Sequence, residues 1–303
     1  MPKLRVCIVS WNAKDDLRAC LRSLIAACEN PADLETVVVD NASADGSAAM
    51  VAEEFPGVTL HALTENTGFS GGNNVALDGL SAPYALLLNS DAVAHTGALD
   101  ALLAFADADE SAGLIGPKVL NPDGSIQFSC RRWPTFAAGL FRNVWLGRLF
   151  PNHAGASDYL MQDFDHAETR DVDWLSGCAL LVRKTCLDAI GPLDAKSFFM
   201  YCEDMDWCLR AQKGGWRVVY FPGATVTHKI GSSSDNAPNR MIWEHSKSMW
   251  RLYNKHGSFF RDRVPVLLRP LVPAGIWLRA AVRVGRRTLL PFTLKKDWRG
   301  KKK

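Results

Sequence analysis

Three carboxylates stand within four residues at Glu203, Asp204 and Asp206, at the start of a helix predicted over about 203–213. A carboxylate in such a place can act as a general base whose neighbours tune its pKa. Acidic residues also favour the positive end of a helix dipole without any further role. Asp206 and Arg210 are one helical turn apart and should pair. This pairing leaves Glu203 and Asp204 freer to face a cleft.

Polar side chains end three of the predicted strands. In an open α/β sheet, ligands bind beyond the carboxyl ends of the strands, so these endings should meet at one edge. Helix capping would explain one such ending, but three endings rich in carboxylates and amides favour a binding site. The residues are Ser10 and Asn12 after the first strand, Asp40 and Asn41 after the second, and Asn89, Ser90 and Asp91 after the fourth.

A glycine-rich turn over residues 65–74 leads into a short predicted helix. Its backbone N–H groups and the helix N-terminus would suit an anionic phosphate. The turn has no P-loop lysine and does not match GxGxxG, so the signal is weak by itself. Its candidate contact residues are Gly68, Phe69, Gly72, Asn73 and Asn74.

His228 ends a later predicted strand and precedes a Gly/Ser turn at residues 231–234. An isolated histidine more often has a structural role. At the carboxyl edge of a strand, with a phosphate-friendly turn behind it, His228 is a candidate for contact with a metal ion or a diphosphate.

Short apolar runs alternate with helix-period segments over the first 120 residues, which predicts βαβ units and a mostly parallel sheet covered on both faces. Asn12 and Asp15 resemble a capping box. The pattern lapses at about 120–170, where we expect a long functional or mobile excursion that holds Asn-Pro-Asp-Gly. The predicted strands are Arg5–Ser10, Thr36–Asp40, Val58–Leu63, Tyr84–Asn89, Gly113–Val119, Arg217–Phe221 and Thr225–His228; the other predicted helices are Leu17–Cys28, Ser43–Phe55, Gly71–Leu80, Leu99–Ala108 and Asn239–His256.

The chain has 303 residues, and its net charge of +3 divides unevenly between a body at −8 and residues 261–303 at +11. An acidic body argues against a nucleic-acid binder with a basic core, and we expect no nucleic-acid partner. The eight cysteines form no CxxC pair, which is typical of small buried hydrophobes in a reducing compartment. The start, Met-Pro-Lys-Leu-Arg, runs directly into a predicted strand, so we expect a cytoplasmic body without a signal peptide.

The basic C-terminal segment, residues 261–303, mixes apolar residues with arginines, and its end is rich in lysine. Arg279, Arg283 and Arg286 could form one basic helical face, with Trp277, Leu278 and Ala281 on an apolar one. This pattern is typical of a segment lying on an anionic membrane surface. A solvated basic end packed on the acidic body is the alternative, and a nucleic-acid arm is poorly motivated. The chain has no run of 18 uncharged apolar residues, so we expect peripheral binding at the inner face of the cell membrane.

The ordered set of motifs resembles family 2 glycosyltransferases with the GT-A fold, and in particular the rhamnosyltransferase-like branch that acts on cell-surface polysaccharides. The resemblance implies an α/β, Rossmann-like fold, with a mostly parallel central sheet flanked by helices. It implies a glycosyltransferase domain over 1–260, with a nucleotide-sugar half at about 1–120 and an acceptor half at about 121–260. The charge and apolar pattern add a basic, helical, membrane-associating tail over 261–303. The matching segments, in family order, are Val9–Asn12, Val38–Ser43, Asn66–Phe69, Gly71–Asn74, Leu88–Asp91, Trp174–Gly177, Phe199–Asp206 and Gly215–His228.

The resemblance also implies how the donor is bound. Asp40 would hold the base or ribose of a nucleotide-sugar, helped by Ser10 and Asn12, and the turn Gly68–Asn74 would line the pocket. Residues Asn89-Ser90-Asp91 occupy the DxD position of the family with Asn in place of the first Asp, which leaves Asp91 as the main ligand of Mg²⁺ or Mn²⁺. His228 matches a position that completes this metal or diphosphate site.

The implied reaction is a single displacement with inversion. Asp204 would take the proton of the acceptor hydroxyl, while the metal ion neutralises the charge on the departing diphosphate. Trp174, Ser176 and Gly177 match the acceptor side, although Trp174 could equally be a core aromatic.

The segment 212–217 is not the QxxRW element of processive synthases, so we expect transfer of one sugar. Overall similarity favours dTDP-rhamnose as donor and a polyprenyl-linked or other cell-surface glycan as acceptor. The alternatives are another sugar, such as a hexose, galactofuranose or N-acetylhexosamine, and a catalytically silent nucleotide-sugar-binding scaffold. A nucleotidyltransferase would need a basic glycine-rich loop after the first strand, where this chain has Ser10-Trp11-Asn12-Ala13.

Overall fold

A nine-stranded sheet forms the centre of the computed structural model, which describes residues 1–135, 154–229 and 238–289. The strands are β1 (Leu4–Ser10), β2 (Leu34–Asp40), β3 (Thr59–Ala62), β4 (Tyr84–Asn89), β5 (Ala92–Ala94), β6 (Ala112–Leu120), β7 (Cys130–Arg131), β8 (Arg170–Asp171), β9 (Trp174–Leu175), β10 (Ala179–Arg183) and β11 (Arg217–His228). In the main sheet they follow the order β3-β2-β1-β4-β10-β6-β11-β5, with β8 also paired to β11, while β7 and β9 form a separate pair.

Helices cover the sheet and continue beyond it. They are α1 (Lys14–Ala27), α2 (Ser47–Glu54), α3 (Gly68–Leu77), α4 (Ala98–Ala108), α5 (Ala154–Tyr159), α6 (Lys184–Ile190), α7 (Glu203–Lys213), α8 (Pro238–Lys255), α9 (Gly257–Arg261) and α10 (Leu271–Leu289), with 3₁₀ turns at Pro31–Asp33 and Val266–Leu268. The predicted helices and strands are confirmed to within a few residues for most elements.

The direction of the strands decides which of their ends share an edge. β1, β2, β3 and β4 pair in parallel, and β11 pairs in parallel with β6. β10 lies between β4 and β6 and is antiparallel to both, so β6 and β11 run in the same direction as β4. The carboxyl ends of β1, β2, β4 and β11 therefore lie along one edge. The prediction of a mostly parallel α/β sheet is confirmed.

Both faces of the sheet are buried, as the continuous apolar strands predict. Along β1, Val6 and Ile8 belong to one core cluster while Cys7 belongs to the other. In β4, Leu86 and Leu87 divide between the two clusters in the same way. This alternation follows from the period of two in a strand. All eight cysteines are free and buried, as predicted.

The predicted capping box at the start of α1 is wrong. Ala13 occupies the N-cap position without a side-chain hydrogen bond. Asn12 has a positive φ of 49°, and its Oδ1 accepts from the backbone N–H of Ala44 at 2.8 Å. The predicted helix over Ser43–Phe55 begins later, at Ser47, since Asp45 accepts from the N–H and hydroxyl of Ser47. The Asn12 side chain thus holds the loop after β2, while Asp15 pairs with Arg18 at 2.6 Å within α1.

Two further predictions change in the second half of the chain. The strands predicted at Arg217–Phe221 and Thr225–His228 are one strand, β11, with register shifts before Val218 and between Phe221 and Thr225. In the predicted 120–170 excursion, residues 136–153 lie outside the described residues, as does the Gly/Ser turn at 231–234.

The C-terminal helices attach to the sheet domain through α8. Ser248 donates its hydroxyl to the carbonyl of Met200 at 2.8 Å, and Arg251 donates to the carbonyl of Ser197 at 2.9 Å. α10 packs against α8 and buries Ile276 and Ala280. The predicted domain boundary at residue 260 falls inside α9. Across the described ranges, no helix combines the length and the apolar character that crossing a bilayer requires.

The predicted basic face of α10 differs from the observed one. Arg279 turns toward α8 and donates to the sulfur of Met249 at 3.4 Å, and Arg283 is only partly exposed. The side chain of Arg286 lies outside the described residues. The residues that face outward are instead apolar: Val266, Leu267, Leu271, Leu278 and Val282. We call these five residues the C-terminal ridge.

A buried ion network ties α7 to the C-terminal helices. The carboxylate of Asp206 is fully buried and lies 2.9 Å from Nε of Arg210, as predicted, 2.8 Å from Nζ of Lys255 and 2.7 Å from Nε2 of His256. Burial alone would raise the pKa of Asp206, but His256, Lys255 and Arg210 together lower it. A buried carboxylate with three such partners is compensated. Removing its charge takes from Arg210 its carboxylate partner, while Lys255 keeps Asp194 at 2.7 Å.

We expect Asp206→Asn to lower the free energy of unfolding by about 3–5 kcal/mol at neutral pH, as measured by urea denaturation. The loss should shrink below pH of about 4, since a carboxylate with a lowered folded pKa stabilises only while it is ionised. Asp188→Asn is the matched control. Asp188 forms an i,i+4 pair with Lys184, but its side chain is 59% exposed, so about 1 kcal/mol or less should be lost. Equal losses in the two variants would contradict this account.

Candidate active site

The ends of β1 and β2 present buried polar atoms with no protein partner. Ser10 pairs in register with Asp40, and the backbone N–H of Ser43 donates to Oδ2 of Asp40 at 2.9 Å. Among the described residues, Oδ1 of Asp40 and the hydroxyl of Ser10 have no hydrogen-bond partner although both are buried. Buried polar atoms without partners are rare in native proteins and call for an explanation, such as a bound ligand. Asp40 and Ser10 thus fit the predicted contact with a nucleoside.

Asn12 and Asn41, the other residues at these strand ends that were predicted to bind the nucleotide-sugar, form hydrogen bonds that hold neighbouring loops. The backbone N–H of Asn12 donates to the hydroxyl of Ser43 at 2.9 Å, and its side chain bonds Ala44. Asn41 donates from Nδ2 to the carbonyl of Gly68 at 2.9 Å and accepts from the N–H of Thr67 at 3.1 Å. Asn41 thereby fixes the glycine-rich turn to the end of β2.

Glycine is required in the turn over residues 65–74 because the backbone there packs closely against neighbouring segments. Gly68 has a φ of +79°, and a Cβ there would lie 2.2 Å from the carbonyl oxygen of Phe199. A Cβ on Gly72 would lie 2.7 Å from Cγ1 of Val9. The backbone N–H of Phe69 donates to the carbonyl of Phe199 at 2.8 Å. The turn thus joins β1 to the segment that precedes α7.

The side-chain amides of Asn73 and Asn74 on α3 also hold neighbouring segments of the chain in place. Asn73 donates to the carbonyl of Phe69 at 2.9 Å, while Asn74 donates to the carbonyl of Leu193 at 2.8 Å and accepts from its N–H at 3.0 Å. These side chains are engaged within the protein, so the structure gives them positioning contacts. Their contact with the nucleotide stays a prediction.

The end of β4 meets the end of β11, as the shared strand direction requires. Nε2 of His228 lies 3.2 Å from Oδ1 of Asp91 and 3.1 Å from Nδ2 of Asn89. Ser90 is buried beside them. Burial alone would lower the pKa of His228, but the neighbouring Cys178 and Asp91 raise it to about 10. The structure therefore brings together the two predicted metal ligands.

The ligand atoms of Asp91 and His228 suit a divalent metal ion that also binds a diphosphate. Within the described ranges, no group of three or more His, Cys, Asp and Glu side chains could hold a metal ion by itself. Asp91 and His228 offer one carboxylate and one imidazole nitrogen, which leaves further positions for phosphate oxygens and water. Mg²⁺ and Mn²⁺ favour such oxygen ligands, and imidazole suits Mn²⁺ better.

The two carboxylates at the start of α7 follow a tight backbone turn. Tyr201 and Cys202 both have positive φ values, of 71° and 66°, a conformation that costs non-glycine residues about 1–3 kcal/mol each. Asp204 accepts from the N–H of Gly177 at 3.2 Å and from the N–H of Met205 at 2.8 Å. Glu203 is buried, and its Oε2 has no hydrogen-bond partner among the described residues.

The environments of these carboxylates separate their pKa values. Burial raises the pKa of Asp204, while the N–H groups of Gly177 and Met205 and the charge of Arg131 oppose this rise without cancelling it. Burial and the charge of Asp204 raise the pKa of Glu203 well above its usual value. Of the two carboxyl groups, Asp204 therefore ionises at the lower pH.

The predicted acceptor residues divide into two groups. Trp174 is only 4% exposed, its indole N–H donates to the carbonyl of Arg132 at 3.1 Å, and the Arg131 guanidinium lies 4.8 Å from its ring. This placement favours the core-aromatic alternative for Trp174.

The Ser176–Cys178 loop reaches the site itself. The N–H of Gly177 bonds Asp204, and a Cβ on Gly177 would lie 3.3 Å from the ring of Phe69. At its other end, the carbonyl of Cys178 accepts from the N–H of Asn89 at 2.9 Å. This loop links the end of β4 to Asp204.

Two residues of the site were not found from the sequence. Gln127 bonds His228, with its Oε1 2.7 Å from Nδ1 of the ring, and Arg131 acts on the pKa of Asp204 through its charge. Both belong to the 120–170 excursion. The Asn-Pro-Asp-Gly turn was a signal that the chain folds back there, but it does not show what the returning residues contact.

We expect Arg131→Met to raise the pKa of Asp204, because the guanidinium favours the ionised carboxylate and burial then acts without that opposition. The measurement is a ¹³C NMR pH titration of the Asp204 carboxyl carbon. The adjacent Arg132→Met is the control, since Arg132 pairs with Asp158 and Asp163 instead. An unchanged or lower pKa in Arg131→Met would show that the charge does not act on Asp204.

Comparison with known sequences gives matches along most of the chain. The model of the family described as "Glycosyltransferase like family 2" matches residues 2–251. The N-acetylglucosaminyl-diphospho-decaprenol L-rhamnosyltransferase of Mycobacterium tuberculosis is 30% identical over 301 residues, which cover 95% of this chain and 96% of the relative. This similarity supports the rhamnosyltransferase-like branch of the family.

Two solved structures share the fold at low sequence identity. The mannosyltransferase PcManGT from Pyrobaculum calidifontis, in complex with GDP-Man and Mn²⁺, has a TM-score of 0.55 and 17% identity, over 96% of this chain and 76% of that one. TarS 1–349 from S. aureus, in complex with UDP, has a TM-score of 0.56 and 17% identity, over 96% and 73%. With a GT-A fold and a family match over most of its length, this chain belongs to glycosyltransferase family 2.

Proposed function

We propose that this glycosyltransferase transfers one L-rhamnosyl unit from dTDP-rhamnose to a polyprenyl-linked glycan, with inversion at the anomeric carbon. The observation that carries the proposal is the Ser176–Cys178 loop. It bonds Asp204 at one end and the backbone of Asn89 at the other. A base and a predicted diphosphate site are thereby held on the same edge of the sheet.

Each group then has a defined part in the reaction. Ionised Asp204 accepts the proton of the acceptor hydroxyl as its oxygen attacks the anomeric carbon from the face opposite the diphosphate. The bond from the anomeric carbon to the diphosphate breaks with its electron pair going to the leaving group, so one displacement inverts the centre. Asp40 and Ser10 hold the nucleoside through their buried oxygen atoms.

Asp91 and His228 would hold the Mg²⁺ or Mn²⁺ ion. When bound, such an ion supplies positive charge that neutralises the departing nucleoside diphosphate. The mycobacterial relative is an L-rhamnosyltransferase named for N-acetylglucosaminyl-diphospho-decaprenol, and this similarity supports the sugar and the acceptor class.

We expect Asp204→Asn to reduce transfer by about 10²–10⁴-fold, the usual contribution of a general base. Glu203→Gln is the matched variant and should stay within about tenfold of wild type, because burial and the charge of Asp204 raise the pKa of Glu203 and make it the weaker candidate for a base. The assay is rhamnosyl transfer from dTDP-rhamnose to polyprenyl-diphospho-N-acetylglucosamine with Mn²⁺, and a thermal shift with dTDP-rhamnose checks that both variants bind the donor.

The outcomes separate the parts of this proposal. Near-wild-type turnover of Asp204→Asn would remove Asp204 as the base. Transfer from a different nucleotide-sugar but not from dTDP-rhamnose would overturn the donor alone. Unchanged turnover in excess chelator would overturn the metal dependence.

We also propose that the C-terminal helices bind the anionic inner face of the cell membrane. The C-terminal ridge supports this proposal, since Leu267 is 91% and Leu278 is 66% exposed. Leu271, Leu278 and Val282 are exposed along α10, and Val266 and Leu267 are exposed on the 3₁₀ turn before it. Exposed apolar side chains beside many basic residues are typical of a segment that lies in the membrane interface. Residues 290–303 contribute six Lys/Arg and one Asp, and each basic residue near an anionic surface is worth about 1 kcal/mol.

We expect the double variant Leu267→Ser, Leu278→Ser to weaken sedimentation with phosphatidylglycerol-containing vesicles by at least about tenfold, since a buried leucine contributes about 1.5–3 kcal/mol. Ile25→Ser is the control, because Ile25 is a 73% exposed apolar residue on α1, away from the ridge. Equal binding by the double variant and the wild type would show that the ridge does not enter the bilayer.

A further inference from the structure

A short hairpin covers the ring of His228. It begins where β6 ends, turns at Asn121–Gly124, and returns so that the N–H of Gln127 donates to the carbonyl of Val119 at 2.8 Å. Gly124 has a φ of +81°, which the turn requires and which glycine adopts without strain. The hairpin places the side chain of Gln127 beside the carboxyl end of β11.

Hydrogen bonds fix which way the Gln127 amide faces. Its Nε2 lies 3.1 Å from the carbonyl oxygen of His228 and 3.0 Å from Oδ1 of Asn121. A backbone carbonyl can only accept, so the amide nitrogen must face it. The Asn121 amide is oriented in turn, since its Nδ2 donates to the carbonyl of Ile126 at 3.4 Å and to the hydroxyl of Ser125 at 2.9 Å, which itself donates to Asp123. The oxygen of Gln127 is therefore the atom that faces the imidazole.

This orientation fixes the hydrogen on the ring. Oε1 of Gln127 lies 2.7 Å from Nδ1 of His228, and an amide oxygen can only accept, so Nδ1 carries a hydrogen in both protonation states of the ring. The other nitrogen, Nε2, is the one that faces Asp91, at 3.2 Å from its Oδ1. A ring nitrogen binds a metal ion only through its lone pair, and the hydrogen bond of the opposite nitrogen decides which one is available.

We propose that Gln127 is a positioning residue for the metal site, which keeps Nε2 of His228 directed at the ion that Asp91 also binds. The inference rests on the proposed metal ion at Asp91 and His228. The two hydrogen bonds from Gln127, one to the ring and one to the carbonyl of the same residue, hold both the rotation of the imidazole and its tautomer. The Asn-Pro-Asp-Gly hairpin thereby acquires a function in the binding of the donor.

The test is the affinity of Mn²⁺ for the full chain in the presence of dTDP, measured by electron paramagnetic resonance of free Mn²⁺. Gln127→Met keeps the length of the side chain and removes its hydrogen bonds, and it should weaken Mn²⁺ binding by about 10–100-fold. Gln127→Glu keeps an acceptor for Nδ1 but loses the donor to the carbonyl of His228 and to Asn121, so it should recover only part of the affinity. Gln162→Met, at an exposed position of the same excursion, is the control and should bind as wild type.

Further variants keep the inference separate from the metal site itself. Asn121→Ala removes the acceptor that helps orient the amide, together with the bond of Asn121 to Ser125, but leaves both bonds of Gln127 to His228. It should therefore weaken Mn²⁺ binding less than Gln127→Met, and it gives a second result if that variant is unstable. Wild-type affinity in Gln127→Met, or equal losses in Gln127→Met and Gln127→Glu, would overturn the role of Gln127. Unchanged affinity in Asp91→Ala would overturn the metal site and the inference with it.

Discussion

The antiparallel insertion of β10 between β4 and β6 is the constraint on which the site depends. In a wholly parallel sheet, the loop before a strand lies at the edge opposite the ligand. Because β10 runs the other way, the Ser176–Cys178 loop that precedes it reaches the carboxyl ends of β4 and β11. One loop can then bond Asp204 and support the end of β4 at the same time.

Helix α7 carries one buried carboxylate whose charge is satisfied by cationic partners and two carboxyl groups whose partners do not offset their burial. Asp206 is fully buried, and Arg210, Lys255 and His256 satisfy its charge. Two and three residues earlier, Asp204 and Glu203 have raised pKa values because burial outweighs what their partners provide. The helix is thus anchored by one carboxylate while its first turn holds a carboxylate able to accept a proton. Anchoring of this kind lets the left-handed turn at Tyr201 and Cys202 persist.

The periodicity of apolar residues along the chain predicted the fold well. The strand and helix periods located β1, β4 and α7, and the shared direction of the strands brought Asp91 and His228 together as expected. What could not be predicted depends on contacts between distant segments. Asn12 binds Ala44 and does not cap α1, Trp174 lies in the core, and Gln127 reaches His228 from 101 residues away. No local propensity encodes such contacts, since side-chain amides and indoles suit many environments equally.

With the C-terminal helices on a membrane as proposed, the position of α8 would set the height of the candidate active site above the bilayer. This helix has 18 residues and is therefore about 27 Å long. It contacts α10 on one side and, through Ser248 and Arg251, the segment before Glu203 on the other. A rigid helix defines a fixed distance, whereas a flexible linker would allow a range of distances. On the proposed membrane surface, the enzyme would act as a ruler that selects acceptors by how far their terminal sugar stands from the lipid.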